Sequence, residues 1–186
     1  MTLQRVQRGL AIFVGLFVLY TAATGPFEGL IQRALFLALV TCLGFALFPL
    51  GAGKSWRPAG LAVDLALCAV SVAACAYVVV NYDTIMTTLP WATALDKALT
   101  VGLVLAVLEL GRRTVGIIFP ILVLLGLGYA LFGNLLPGPL RHRGFDTAFV
   151  TETIFLGDLG IWGMLTGVAA TVIAAVPVAM VLDPSP

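Results

Sequence analysis

Apolar residues in this chain come in long blocks, not in alternation with polar ones. The first block runs from Gly9 to Thr24 and closes at Gly25-Pro26, a pair that stops helices. After the connector FEGLIQR, a second block spans Ala34 to Leu50, closed by Pro49 and the polar run GAGKSWRP. The third, Ala59 to Tyr82, is interrupted only by Asp64 and Asn81. The segment NYDTIMTTLPWATALDK mixes polar and aromatic residues, as an interfacial connection does where Trp and Tyr settle. Ala98 to Leu110 is a fourth apolar stretch of only thirteen residues, followed by charges. A fifth runs from Thr114 to Leu136 with Pro120 in its first two turns. The loop PGPLRHRGFDTAFVTET carries the densest polar chemistry, and a last block, Ile154 to Leu182, is best formed from Gly160 onward.

A helix needs about 20 apolar residues to cross the hydrocarbon of a bilayer. These blocks therefore predict an all-α, polytopic transmembrane helical bundle of five to six spans. No stretch has the period-two alternation of a membrane β-barrel, and no internal repeat is visible. The fourth block is short by about a third at ~1.5 Å per residue. A helix running unbroken from Ala98 into the 120s is the competing arrangement. The basic start and apolar run of MTLQRVQRGLAIFVGLFVLYTAATG also resemble a signal peptide, with small residues in TAATG. So much lipid-soluble chain follows that a retained first span is the better reading.

Composition agrees with lipid as the solvent. Of 186 residues 61% are hydrophobic and only 10% charged, with a mean hydropathy of +1.10. Soluble domains carry about 25% charged residues. The net charge of +1 excludes a nucleic-acid partner, which would call for a basic face. Cys42, Cys68 and Cys75 lie in apolar surroundings, form no CxxC pair, and read as small hydrophobes. His142 is the only histidine, so no multi-histidine metal site exists. With the N terminus inside, the cytoplasmic loops would hold six basic residues against four on the other side, a slight positive-inside bias.

The candidate chemistry centres on LELGRRTVG at 108–116. On a helix, Glu109 sits one turn before Arg112 (i+3) and Arg113 (i+4), the order that suits side-chain pairing and the helix dipole. In water such a pair is worth a few tenths of a kcal/mol. At the edge of hydrocarbon an unpaired Arg costs ~2.5–3.5 kcal/mol, so neutralisation by Glu109 decides whether the segment is tolerated. Two roles fit: a snorkelling cap at the cytoplasmic surface, or a clamp docking one helix or subunit against another. Asp64, early in the third block, reads as an interfacial residue pairing with Arg57 and only distantly as a proton or sodium site. Asp83, Asp96 and Lys97 read as solvated connection residues. RHRGF at 141–145 reads as a loop interface that could also touch an anionic ligand. Gly126 and Gly128 beside Tyr129, and Gly163 with Gly167 as a GxxxG, put small residues on helix faces. No nucleophile–base pair, phosphate loop or metal set appears, so the chain is not read as an enzyme.

The string LELGRRTVGIIFPILVLLGLGYALFGNLLPGPLRHRGF, followed by LGIWGMLTGVAATV, resembles the amino-terminal portion of the fused permeases of tripartite ATP-independent periplasmic (TRAP) transporters of the TAXI-associated type. YTAATGPF and QRALFLALVTCLGFALFPL are similar to that family's first two spans, so the resemblance covers nearly the whole chain. It implies a small-subunit-like helical membrane domain over 1–136 and a connecting loop with an interfacial helix over 137–159. A final segment over 160–186 would resemble the start of the large permease domain. In such systems a periplasmic solute-binding protein captures an organic acid or related solute. A large permease subunit carries it inward on a sodium or proton gradient, while the small membrane subunit braces that permease. Glu109, Arg112, Arg113, Arg141, His142 and Gly144 match the family pattern, where their role is structural. The location implied is the bacterial cytoplasmic (inner) membrane, multi-pass, and no cofactor is implied for this chain. GIWGMLTGVAATV departs from the family by lacking the proline and serine of GIPLGVSATF. The fused permeases also continue well past this length, through the hairpins that hold substrate and ion. The expectation is therefore a separate small subunit or a truncated gene product. The alternatives are a non-transport membrane assembly protein and the small subunit of a tripartite tricarboxylate transporter.

Overall fold

The computed structural model describes residues 2–24, 28–51, 57–87, 92–157 and 159–173, and no β-strand occurs among them. Helix α1 is Thr2–Thr24, α2 Gly29–Leu47, α3 Arg57–Val80, α4 Tyr82–Thr87, α5 Ala94–Thr114 and α6 Ile118–Phe132. Two 3₁₀ turns follow, Gly133–Leu135 and Gly138–Leu140. Helix α7, Thr147–Thr151, runs into a π-helical turn, Glu152–Leu156, and α8, Met164–Val168, into another, Ala169–Ile173. Three segments are long and apolar enough to cross a membrane: Gly29–Leu47, Pro58–Val80 and Ile118–Leu135. By length and composition this is a membrane protein. The apolar part of α1, Gln7–Thr21, is shorter than these, and α5 is not among the three.

Helices α2, α3 and α5 form an up-down-up core, with α1 against α2 and α6 against α5. Ala34, Ala74, Cys75, Val78 and Leu103 meet at its centre, and Phe155 and Trp162 close one end. Glycines set the spacing at two crossings. A Cβ on Gly44 of α2 would strike the Leu110 side chain of α5, and one on Gly102 of α5 would strike Val70 of α3.

The boundaries of α5 differ from both sequence expectations. It begins at Ala94, four residues before Ala98, because Thr93 and Asp96 form a capping box. Thr93 Oγ1 accepts from Asp96 N at 3.2 Å, and Asp96 Oδ2 accepts from Thr93 N at 2.8 Å. Asp96, expected to be solvated, is buried. Nor does the helix continue into the 120s. Val115 N and Gly116 N both turn back to Gly111 O, and Gly116 takes a φ of +112°, a left-handed value that costs glycine nothing. The chain then re-enters a helix with Pro120 in its first turn, where a missing N–H is no loss. The resulting 21 residues of α5 extend about 30 Å, close to the thickness of the hydrocarbon core.

The end of the chain also departs from the sequence reading. Residues 159–163 form turns, helix resumes only at Met164, and residues from 174 on lie outside the described ones. Gly163 and Gly167 do not make a helix-packing GxxxG. Gly163 is the N-cap of α8 in extended backbone, while Gly167 faces the Arg33 side chain. Gly126 and Gly128 likewise face open space, with nothing within 4 Å of a Cβ at either.

Candidate functional site

The end of α2 shows how the charged triplet is used. Pro49 stops the helix, and Phe48 N bonds Gly44 O at 2.9 Å, which leaves the Phe48 carbonyl at the helix terminus without an intrahelical partner. Arg113, in the last turn of α5, supplies one: its Nη1 donates to Phe48 O at 2.8 Å. The Arg113 Nε donates to Glu109 Oε1 at 2.8 Å, and Nη2 stands 2.7 Å from Asp64 Oδ1 on α3. That last contact is an ion pair off the line of a hydrogen bond, since neither atom has a hydrogen-bond partner. The guanidinium also lies over the Phe45 ring, 5.2 Å from its centroid.

Asp64 closes the arrangement from the other side. Its Oδ2 accepts from Leu50 N at 2.8 Å, so the turn after α2 is held at Phe48 O by the base and at Leu50 N by the acid. The pair is buried, with side-chain exposures of 7% for Arg113 and 5% for Asp64. Asp64 is therefore an interior residue and the counter-ion of Arg113. The expected pairing with Arg57 involves a side chain outside the described residues, and both Asp64 oxygens are engaged elsewhere. Arg112 points outward at 42% exposure and grips Glu109 with two hydrogen bonds of 2.8 Å, from Nε to Oε2 and from Nη2 to Oε1. Two carboxylates and two guanidiniums make a network of zero net charge, which lowers the cost of holding it at a hydrocarbon boundary.

His142, by contrast, lies a helix length away, beyond the far end of α6. It folds the following loop back onto that helix. The His142 ring Nδ1 accepts from Gly144 N at 2.9 Å, so its Nε2 carries the proton and donates to Tyr129 O, also at 2.9 Å. His142 N bonds Gly133 O, Phe145 N bonds Ala130 O, and Tyr129 Oη donates to Leu140 O. The ring lies where a Cβ on Gly133 would project. Gly144 takes a φ of +74° to turn the chain onward. Arg141 and Arg143, which flank the histidine, are exposed. Sequence-adjacent blocks of the candidate motif thus form two separate sites.

A third set of polar groups lies beside that far end and was not singled out from the sequence. Arg33 Nη1 donates to the Trp162 carbonyl, Gln32 Nε2 to Ala170 O at 3.4 Å, and Trp162 Nε1 to Phe155 O at 2.6 Å. Glu152 Oε1 accepts from Ala92 N at 3.1 Å. Tyr82 Oη donates to Glu28 Oε2 at 3.0 Å, and the adjacent carboxylate pushes the phenol above its ordinary pKa. The three cysteines are free, but Cys42 and Cys68 bring their Sγ atoms to 3.1 Å across α2 and α3. Among the described residues no group of three or more His, Cys, Asp or Glu is placed to hold a metal ion.

No family model, no curated protein and no solved structure matches this chain. The arrangement can therefore be read only through its own chemistry. A guanidinium whose nitrogens face the end of α2, Asp64 of α3 and Glu109 of its own helix is a fastening. With only 7% of its side chain exposed, it is closed off from a passing solute.

Proposed function

We propose that this chain is a membrane scaffold, the small-subunit-like component of a TRAP-type secondary uptake transporter for organic acids or related solutes. It would brace a larger permease that carries substrate on a sodium or proton gradient, fed by a periplasmic solute-binding protein. In this reading α1 and α5 cross the bilayer along with the three long apolar helices. The location is the bacterial cytoplasmic membrane. One observation carries the proposal. Arg113 joins α5 to Phe48 of α2 and Asp64 of α3, so the very block that resembles the family is spent on fixing helices in place. A brace needs fixed geometry, whereas a transport pathway needs polar groups that exchange partners.

The test is purification of the tagged chain from its native membranes under mild detergent, followed by mass spectrometry and reconstitution. Stoichiometric recovery of a much larger membrane permease is the expected result, with no uptake of labelled organic acids by liposomes holding this chain alone. Sodium-driven uptake by the isolated chain would overturn the scaffold reading.

A further inference from the structure

We propose that Arg141 and Arg143 form a binding site for the phosphate of an anionic glycerophospholipid, held at headgroup depth by His142. The inference starts from where the loop lies. The apolar segment Ile118–Leu135 is fit to cross a membrane, and the loop after it does not leave for solvent. His142 donates to the carbonyl of Tyr129, which precedes Leu135 by six residues, or about 9 Å of helix. Phe145 N bonds Ala130 O one residue on. Residues 140–145 therefore run back beside the last turns of an apolar helix.

Both guanidiniums arrive at that depth without a protein counter-ion. Arg141 and Arg143 are exposed, and neither side chain makes a hydrogen bond or ion pair with any described residue. Asp146, the nearest acid in sequence, is turned to the start of α7, where its Oδ2 accepts from Ala148 N at 3.4 Å. Glu152 is turned to Ala92 N. A cation near hydrocarbon with no partner is costly, and the anions available at that level of a bilayer are lipid phosphates. Arg offers a planar fork of donors suited to them. The surroundings fit the same occupant. Leu135, Leu140, Phe145 and Phe149 are exposed around the loop, and Phe145 and Phe149 stack at 4.9 Å, giving acyl chains an apolar and aromatic surface.

Each arginine near the surface should strengthen the preference for an anionic headgroup about fivefold, and the pair about thirtyfold. The full chain is assembled into nanodiscs of mixed phosphatidylcholine and phosphatidylglycerol, and the lipids retained on release are counted by native mass spectrometry. The wild type is expected to retain phosphatidylglycerol selectively. R141Q and R143Q should each lose about fivefold of that selectivity and the double variant about thirtyfold. R141K/R143K should keep most of it. Equal retention of the two lipids by the wild type, or unchanged selectivity in the double glutamine variant, overturns the proposal. So does a double glutamine variant that keeps its lipid selectivity but loses a co-purifying membrane protein, because the arginines would then face that protein.

Discussion

The two ends of the helical core are held by different chemistry. At one end, four ionised side chains, Glu109, Arg112, Arg113 and Asp64, contact one another. At the other, side chains bond mainly to backbone: Arg33 to Trp162 O, Gln32 to Ala170 O, Glu152 to Ala92 N, with Thr93 and Asp96 capping α5. The first end concentrates its stability in one residue. The second spreads it over many neutral or capping contacts, and its irregular backbone between 152 and 173 needs those partners, because the turns there leave peptide groups that no regular helix satisfies. An ionic junction fails all at once when one member is removed, while a distributed one loses strength by increments.

The sharpest test of that contrast is Arg113→Met. It leaves Asp64 buried without a counter-ion and should cost about 3–5 kcal/mol in a detergent unfolding titration. Adding Asp64→Leu to the same chain should recover much of the loss, since removing both charges relieves the burial penalty. If Arg113→Met unfolds at wild-type denaturant concentration, the concentrated end is not concentrated at all. Trp162→Ala is the counterpart at the other end. It deletes the largest fully buried side chain among the described residues, with an expected cost of about 3–5 kcal/mol from the cavity. Its damage should be local, however. Hydrogen exchange is expected to rise in 151–170 while amides around 44–50 and 109–114 stay protected. Uniform exchange across both ends would erase the distinction.

Smaller effects follow in order. Thr93→Ala removes the cap of α5 and should lower stability by about 1 kcal/mol, read by the same titration. Arg112→Gln touches the exposed arm of the ionic network and should cost no more than about 1 kcal/mol. A loss comparable to that of Arg113 would show the exposed arm to be structural. Smallest is the Tyr82–Glu28 contact. Because the phenol is held above its ordinary value, this bond is fully present below that value and is lost as pH rises through the shifted one. In a difference titration at 295 nm, Glu28→Gln should move the Tyr82 transition to lower pH.

Sequence reasoning reached the ionic end more readily than the other because half of that network is local. Glu109 with Arg112 and Arg113 follows from i+3 and i+4 spacing alone, and both contacts form. The remaining partners, Asp64 and Phe48 O, are 49 and 65 positions before Arg113, and nothing in a hydrophobicity pattern aligns them. The same holds for Arg33 with Trp162, 129 positions apart. The existence of α2, α3 and α6 was legible from their long apolar blocks, but α2 begins at Gly29, within the FEGLIQR stretch read as a connector, whose Gln32 and Arg33 bond carbonyls near the other end of the chain. For α5 the readable cue was Thr93-x-x-Asp96, a capping pattern that sets the start earlier than hydropathy does. Burial of Asp96 does not follow from that cap, since Thr93 of the same box is exposed; it comes from the packing of neighbouring segments, which no local pattern spells out. The thiol contact between Cys42 and Cys68 was not legible, since residues 26 apart on two helices meet only if the helices pack in one register.

The Asp64–Arg113 contact has a consequence for the order in which the chain is made. A ribosome delivers the acid 49 residues before the base, so the ion pair can close only once the last turn of α5 has been made. Of the two partners Asp64 has in the finished fold, the Leu50 amide is the one that precedes it in the chain. The junction at the end of the second helix is thus fastened late, by the arrival of the fifth.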